Sequence, residues 1–278
     1  MPKLILSVAN QKGGVAKSVS SVNISSGIAS ILRRKKIKSN APRKVLLIDI
    51  DHQASSSPYF IKTAIQPENT ILRLYQEEPI TVPVASQIIY PTRFPGLSII
   101  PSTSALSIKE SIFATFDKAA KRLKNFLDNE CQDYAVVIID CPPSFNIYVL
   151  NAFFASTHII VPITPLPESF DGVHLLFDFL KNTPILADRI DILGFVITML
   201  KERNLVHKAY KETIQEQFPD KILGEIHDSA DINKASTLKN TIFEYSRNCR
   251  AASEYSAISR IIINKFAEQL ELLTGEDE

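Results

Sequence analysis

Glycine is scarce in this chain, with 8 in 278 residues, and cysteine occurs three times. Cys131, Cys141 and Cys249 are far apart. That spacing fits neither a zinc cluster nor a disulfide framework, and it points to a reducing cytosol. An excess of charge of either sign is also missing: 31 basic residues face 30 acidic ones. The field of the whole molecule therefore does not attract nucleic acid, and any such affinity has to come from local patches. Aromatic and basic residues do not interleave, which argues against stacking on single strands. Long hydrophobic runs are absent; the longest are strand-sized, too short to cross a bilayer. Met1-Pro2-Lys3 leads directly into an apolar strand, so no signal peptide is expected. No repeat, low-complexity tract or linker interrupts the chain, and one domain over residues 1–278 is expected, with no helix-turn-helix domain before it.

What is present is an alternation of apolar strands and helical stretches. Strands are expected at Leu4–Ala9, Val45–Asp49, Tyr134–Asp140, His158–Pro162 and Asp191–Thr198, with a strand pair around Gln87–Tyr90 and Leu97–Ile100. Helical spacing of apolar residues predicts helices at Ser18–Leu32, Ala105–Asn129, Ser169–Lys181, His207–Gln217 and Ala252–Leu273. Strands separated by helices imply an α/β fold with a mostly parallel central sheet covered on both faces. Sites in such folds lie at the carboxyl ends of the strands.

Two of the few glycines are adjacent, at the turn where the first strand meets the first helix: Asn10-Gln11-Lys12-Gly13-Gly14-Val15-Ala16-Lys17-Ser18. Successive backbone N–H groups at a helix N-terminus form an anion cradle. Lys17 adds a charge suited to phosphates, and the Ser18 hydroxyl suits magnesium. The strict pattern G-x-x-x-x-G-K-[ST] fails, because Gln11 and Ala16 hold the two glycine positions. A Gly-Gly turn with incidental lysines is the plain alternative. Three acids weigh against it. Asp49 and Asp51 close one buried strand and Asp140 closes another. A buried, unpaired carboxylate is costly, and magnesium, a lysine or a positioned water would compensate it. Each acid alone could be an ordinary cap or turn aspartate; three with a phosphate loop are a constellation.

With these residues the chain resembles the ParA/MinD group of deviant Walker-box ATPases, and most closely the ParA-type partition ATPases. The matching segments are residues 10–18, Leu46-Leu47-Ile48-Asp49-Ile50-Asp51-His52-Gln53 and Ile138-Ile139-Asp140-Cys141-Pro142-Pro143-Ser144. Val161-Pro162-Ile163-Thr164-Pro165 through Gly172, Leu193–Met199 and Phe94–Pro101 also match, so the resemblance covers nearly the whole chain. It implies a P-loop NTPase-like fold, with ATP and magnesium as cofactors. It implies that Lys12, Gly13, Gly14, Val15, Ala16, Lys17, Ser18 and Val19 bind ATP. Lys12 matches the lysine that reaches a partner's phosphates across a nucleotide-sandwich dimer. Asp51 matches the acid that orients the attacking water, with Asp49 beside it, so that Lys12, Lys17, Asp51 and Asp49 form the catalytic set. Ser18, Asp140 through water, and Asp51 are the implied metal ligands. Three positions depart from the pattern: Ala16 for glycine, His52 for proline, and Ile226-His227-Asp228 where relatives have Ile-Pro-Arg near the adenine. A Cβ at residue 16 tightens the loop if the backbone there needs a positive φ.

The implied partners are a second copy of the chain, double-stranded DNA bound without sequence preference, and a ParB-like centromere-binding protein that stimulates hydrolysis. The implied location is the cytoplasm, on the nucleoid. Three basic surfaces are candidates for DNA. One is the run Arg33–Lys44, which also reads as a solvated loop. A second contains Lys201, Arg203, Lys208 and Lys211. The third, favoured by analogy, contains Lys234, Lys239, Arg247 and Arg250. The last helix carries Ile258, Ile261, Ile262, Phe266, Leu270 and Leu273 on or near one face. A membrane-binding helix of the MinD kind would be basic, but this chain ends Gly275-Glu276-Asp277-Glu278. Core packing is the expected use of the stripe. Two other functions compete: a nucleotide-gated binding switch with negligible hydrolysis, and a MinD-like positioning ATPase.

Overall fold

Valine, isoleucine and leucine runs supply the centre of a sheet, because branched side chains pack well on a pleated surface. The computed structural model describes residues 2–35, 41–76, 83–114 and 119–272. Within them lie β1 (Leu4–Val8), β2 (Lys44–Asp49), β3 (Tyr90–Pro91), β4 (Leu97–Ile100), β5 (Tyr134–Asp140), β6 (His158–Ile163), β7 (Asp191–Leu200) and β8 (Ile222–His227). They form one sheet in the order β3-β4-β2-β5-β1-β6-β7-β8. The β3–β4 pair is antiparallel and the other pairs are parallel.

The sheet separates two apolar cores. Along β1, Ile5 faces one core while Leu4, Leu6 and Val8 face the other; along β5, Val137 and Ile139 alternate with Val136 and Ile138. Such period-two segregation on strands buried on both faces is what a doubly covered parallel sheet requires. The first helix (Lys17–Arg34) and the last (Arg250–Lys265) cover one face, through Val22, Ile24, Ile28, Ile258 and Ile262. The helices Arg122–Glu130, Ile147–Ala155 and Glu168–Lys181 cover the other, through Leu123, Phe153 and Leu176.

Several expectations need correction. The expected helix Ala105–Asn129 gives two helices among the described residues, Ala105–Phe113 and Arg122–Glu130, the second preceded by a 3-10 turn at Ala119–Lys121; residues 115–118 of that span lie outside the described ones. The expected strand around Gln87–Tyr90 is mostly a short helix, Ala85–Ile88, leaving two residues in β3. Its N-terminal amides, Val84 and Ala85, are held by the Glu130 carboxylate at 2.7 and 2.8 Å, a long-range contact that local spacing does not contain. The last helix ends at Lys265, not Leu273. Its stripe packs in the core through Ile258 and Ile262, but Ile261 is 45% exposed. Leu273, the acidic end and residues 36–40 of the basic run lie outside the described residues. Strand β8 and the helix Ile147–Ala155 have no counterpart in the sequence reading.

Register places the acids. Val8 pairs with Asp140, and Asp140 pairs with Asp49, so β1, β5 and β2 end side by side. The chain continues from β5 across β1 to β6, so the order reverses at β1, where open α/β sheets place their ligands.

Candidate functional site

The loop after β1 is held from below by two neutral side chains. Asn10 is 1% exposed. Its amide donates to the Pro162 carbonyl at 2.8 Å, and its Oδ1 accepts from the Lys12 amide at 2.9 Å. Thr198, at the end of β7, shares its hydroxyl between the Val15 and Ile163 carbonyls at 3.2 and 3.3 Å. Gly172, on the helix Glu168–Lys181, packs against this loop; a Cβ there would fall 2.2 Å from Asn10 Oδ1. Only glycine fits that approach.

Gly14 takes φ +77° and Ala16 takes φ 60°, ψ 33°. The backbone at residue 16 is thus left-handed, the conformation in which a Cβ costs about 1 kcal/mol. The first helix begins immediately afterwards, at Lys17. Lys17 is 8% exposed, and its ammonium donates to the Lys12 carbonyl at 2.8 Å. Burial lowers its pKa, opposed by the negative charge of Asp140 and Asp51. Lys12 itself is exposed.

Behind the loop is a buried network of serines and acids. Asp140 is fully buried; it accepts from the Ser21 hydroxyl at 3.0 Å and the Ser56 hydroxyl at 2.5 Å. The nearby Ser18 hydroxyl favours its charged form. Burial raises its pKa to about 6, with the Asp51 charge adding to the shift. Asp49 is fully buried too and accepts from the amides of Asp51, Ser56 and Ser57 at 3.2, 3.1 and 2.8 Å, and from the Ser57 hydroxyl at 2.7 Å. Burial, then the neighbouring Asp140, push its pKa up to about 8. Every partner of Asp49 belongs to the loop over residues 51–57. Its geometry is that of a residue that shapes this loop, whereas the sequence reading grouped it with the catalytic residues. Asp51, 6% exposed, accepts from the Gln53 amide at 2.9 Å and lies 3.5 Å from His52 Nδ1.

The structure therefore brings together Lys17, Ser18, Asp49, Asp51 and Asp140. It adds Ser21, Ser56, Ser57, Asn10, Gly172 and Thr198, to which the sequence reading gave no role. Ser21 had a signal, one helical turn beyond Lys17, and its hydroxyl also bonds the Lys17 carbonyl. Ser56 and Ser57 had none beyond following an acidic strand end.

Beside the loop is a cavity of about 250 Å³, lined in part by Gly14, Ala16, Met199, Ile226, Asp228 and Asn233. It places the Ile226-His227-Asp228 departure next to the phosphate cradle. The Asn233 amide donates to Asp228 Oδ1 at 3.1 Å, and Lys201 lies 3.5 Å from Asp228 Oδ2. His227 Nδ1 is 2.6 Å from Glu254, which also receives the His227 amide.

The basic candidates differ in their pairing. Arg250 is paired with Glu202 at 2.6 Å and Glu254 at 2.8 Å. Lys201 faces Asp228, Lys211 faces Glu225, and Lys239 lies over the Tyr59 ring at 5.3 Å. Arg203, Lys208, Lys234 and Arg247 are exposed and carry no ion pair among the described residues.

The chain is similar to known proteins over most of its length. The family described as AAA domain matches residues 3–190. The chromosome partitioning protein ParA of Caulobacter vibrioides is 27% identical over 268 residues, covering 95% of each chain. The sporulation initiation inhibitor protein Soj of Bacillus subtilis is 26% identical over 263 residues, covering 92% of this chain and 96% of its own. The crystal structure of a plasmid partition protein from Borrelia burgdorferi, bound to AMPPNP, matches with a TM-score of 0.78 at 25% identity, over 95% of this chain and 100% of that one.

Proposed function

From the premise that this chain belongs to the AAA domain family, in its ParA/MinD-type group, we propose that it is an ATP-dependent DNA partition ATPase. The observation that carries the reading is the convergence of the phosphate loop with Asp140 and Asp51 at the carboxyl ends of adjacent strands. The partition-protein relative bound to AMPPNP supports ATP as the nucleotide.

The charges fit a divalent cation. Asp49, Asp51 and Asp140 are all less than a tenth exposed, and Lys17 is the buried cation among them. Hydroxyl and carboxylate oxygens suit magnesium, which takes one or two protein ligands and completes its shell with phosphates and water. Among the described residues no group of three or more acids, histidines or cysteines forms a protein-only cage, consistent with that preference. Ser18 and Asp140 would hold the ion, which would neutralise developing phosphate charge.

The residues then divide the work of phosphoryl transfer, which is mainly positioning and charge stabilisation. Backbone amides from Gly13 to Ser18 cradle the phosphates, and Lys17 supplies a fixed positive charge. Asp51 orients the attacking water. Asp49 keeps the loop around Asp51 in place through the Ser56 and Ser57 amides. Lys12, exposed at the surface of the loop, reaches the phosphates of a second copy. ATP thereby becomes part of a dimer interface, and hydrolysis reverses it. The dimer binds DNA without sequence preference, and a ParB-like partner stimulates hydrolysis, in the cytoplasm on the nucleoid.

The test is DNA binding without nucleotide, with ADP and with ATP, for wild type and Lys12→Ala. Binding that appears with ATP and is lost in Lys12→Ala is expected. Equal binding in all three states, or indifference to Lys12, would overturn the reading. A second reading, a nucleotide-gated switch with negligible hydrolysis, is favoured by the left-handed Ala16 alone. Phosphate release measured with DNA and partner present decides between them. Turnover that Asp51→Ala abolishes excludes the switch.

A further inference from the structure

Apart from the phosphate loop, a cleft of about 440 Å³ lies between the first and last helices. Arg34, Ser30 and Ile31 line it from the first helix, and Ser253 and Ser256 from the last. Arg247, Phe94 and Phe243 complete the part of the lining that matters here.

Its electrostatics are unbalanced. Arg250, in the first turn of the last helix, is compensated by Glu202 and Glu254. Arg247 stands three residues earlier, beside the positive end of the same helix dipole, and that first turn contains no acid. A cation there is disfavoured unless an anion shares the site. Among the described residues Arg247 has no acidic partner, and neither has Arg34 across the cleft. The position of Arg34 in the last turn of the first helix suits the negative end of that helix. The same argument gives no reason for Arg247.

We propose that this cleft is a second ligand site, which takes a nucleotide: the two guanidiniums bind its phosphate and the phenyl rings contact its base. Guanidinium forks match phosphate oxygens in pairs, and the serine hydroxyls add donors. Phe243, half-buried, supplies an apolar aromatic surface for a planar ring, and Phe94, only 9% exposed, backs it at a centroid distance of 6.4 Å. The volume is that of a small-molecule site. A DNA duplex is the competing occupant, since Arg247 is among the basic candidates. A duplex presents its phosphates on a convex surface and is met by protruding cations; walls carrying phenyl rings suit a smaller, ring-bearing ligand.

The proposal does not depend on what the phosphate loop binds. Equilibrium dialysis with labelled ADP tests it, on the full chain. Wild type is expected to bind a second ADP beyond the one at the loop. Lys17→Ala is expected to retain the cleft site, and Arg34→Ala/Arg247→Ala to lose it, with affinity there falling about tenfold or more per arginine. Ser253→Asp, which puts a carboxylate into the cleft, is expected to give the same loss. Thermal melts confirm that the variants fold. ADP binding that Lys17→Ala abolishes completely, or a cleft site unchanged in the double variant, overturns the proposal. So does a double variant that loses DNA affinity while its ADP stoichiometry stays that of wild type.

Discussion

At the phosphate end of the candidate site, Asp49 and Asp140 are fully buried, and their hydrogen-bond partners are hydroxyls and backbone amides. At the cavity end, Asp228 and His227 lie among Lys201, Glu202, Arg250 and Glu254, several of them well exposed. The two ends adjoin at Gly14 and Ala16, which line the cavity while closing the phosphate loop. The difference is one of energy scale. A buried carboxylate with several donors is expensive to disturb, because each orphaned donor loses its partner away from water. An exposed ion pair contributes between nothing and about 1 kcal/mol, because water screens it. One end is therefore held rigidly and the other is adjustable.

Replacing an acid at each end tests this directly. Asp49→Ala orphans the Ser56 and Ser57 amides and the Ser57 hydroxyl. It is expected to cost about 3–5 kcal/mol in urea denaturation. Asp228→Ala is expected to cost less than about 1 kcal/mol. Equal losses would break the comparison.

The next largest effect is a pH dependence centred on the phosphate end. Asp49 and Asp140 are raised from 3.8 to about 8 and about 6. The folded chain therefore holds protons that the unfolded chain has released. The contribution of this pair to stability is full below about pH 4 and is lost as pH rises through about 6 and then about 8. The nucleotide-free, magnesium-free protein should need less urea to unfold at about pH 8 than at about pH 5. A midpoint that rises over this range would overturn the assignment. In Asp49→Asn, which cannot ionise, the upper part of the decline should disappear.

The same division explains what could be read from the sequence. Lys17 and Ser18 were legible from the Gly13-Gly14 turn just before them; Asp49, Asp51 and Asp140 were legible because they close apolar runs, and strand ends of a parallel sheet converge. Five of the strands were legible for the same reason. Ser56, Ser57 and Thr198 were not, because their roles come from contacts across the fold and not from spacing. Gly172 matched a family segment, but that it must be glycine depends on the closeness of Asn10, which no local pattern encodes. The cavity beside the loop was illegible for a further reason: one of its walls is the end of β8, whose sequence Ile222-Leu223-Gly224-Glu225-Ile226-His227 is too mixed to announce a buried strand. The helix Ala105–Asn129 was misread because apolar periodicity continues through the break between its two halves.

Ala16 belongs to both ends and carries the smallest expected effect. Its φ of 60° places it where glycine would sit without strain. Ala16→Gly removes a penalty of about 1 kcal/mol, offset in part by the greater freedom of glycine in the unfolded chain. The net gain should be about 0.5 kcal/mol, read as a small rise in the urea midpoint with unchanged slope. A loss of stability would mean that the alanine methyl packs against the cavity strongly enough to outweigh its strained backbone. Turnover separates the two functional readings at the same position. If the strain is incidental to a working ATPase, phosphate release by Ala16→Gly should match wild type. If the strain is what suppresses hydrolysis in a nucleotide-gated switch, release should rise when it is relieved, while nucleotide affinity changes little, because the cradle offers backbone amides that the substitution leaves in place.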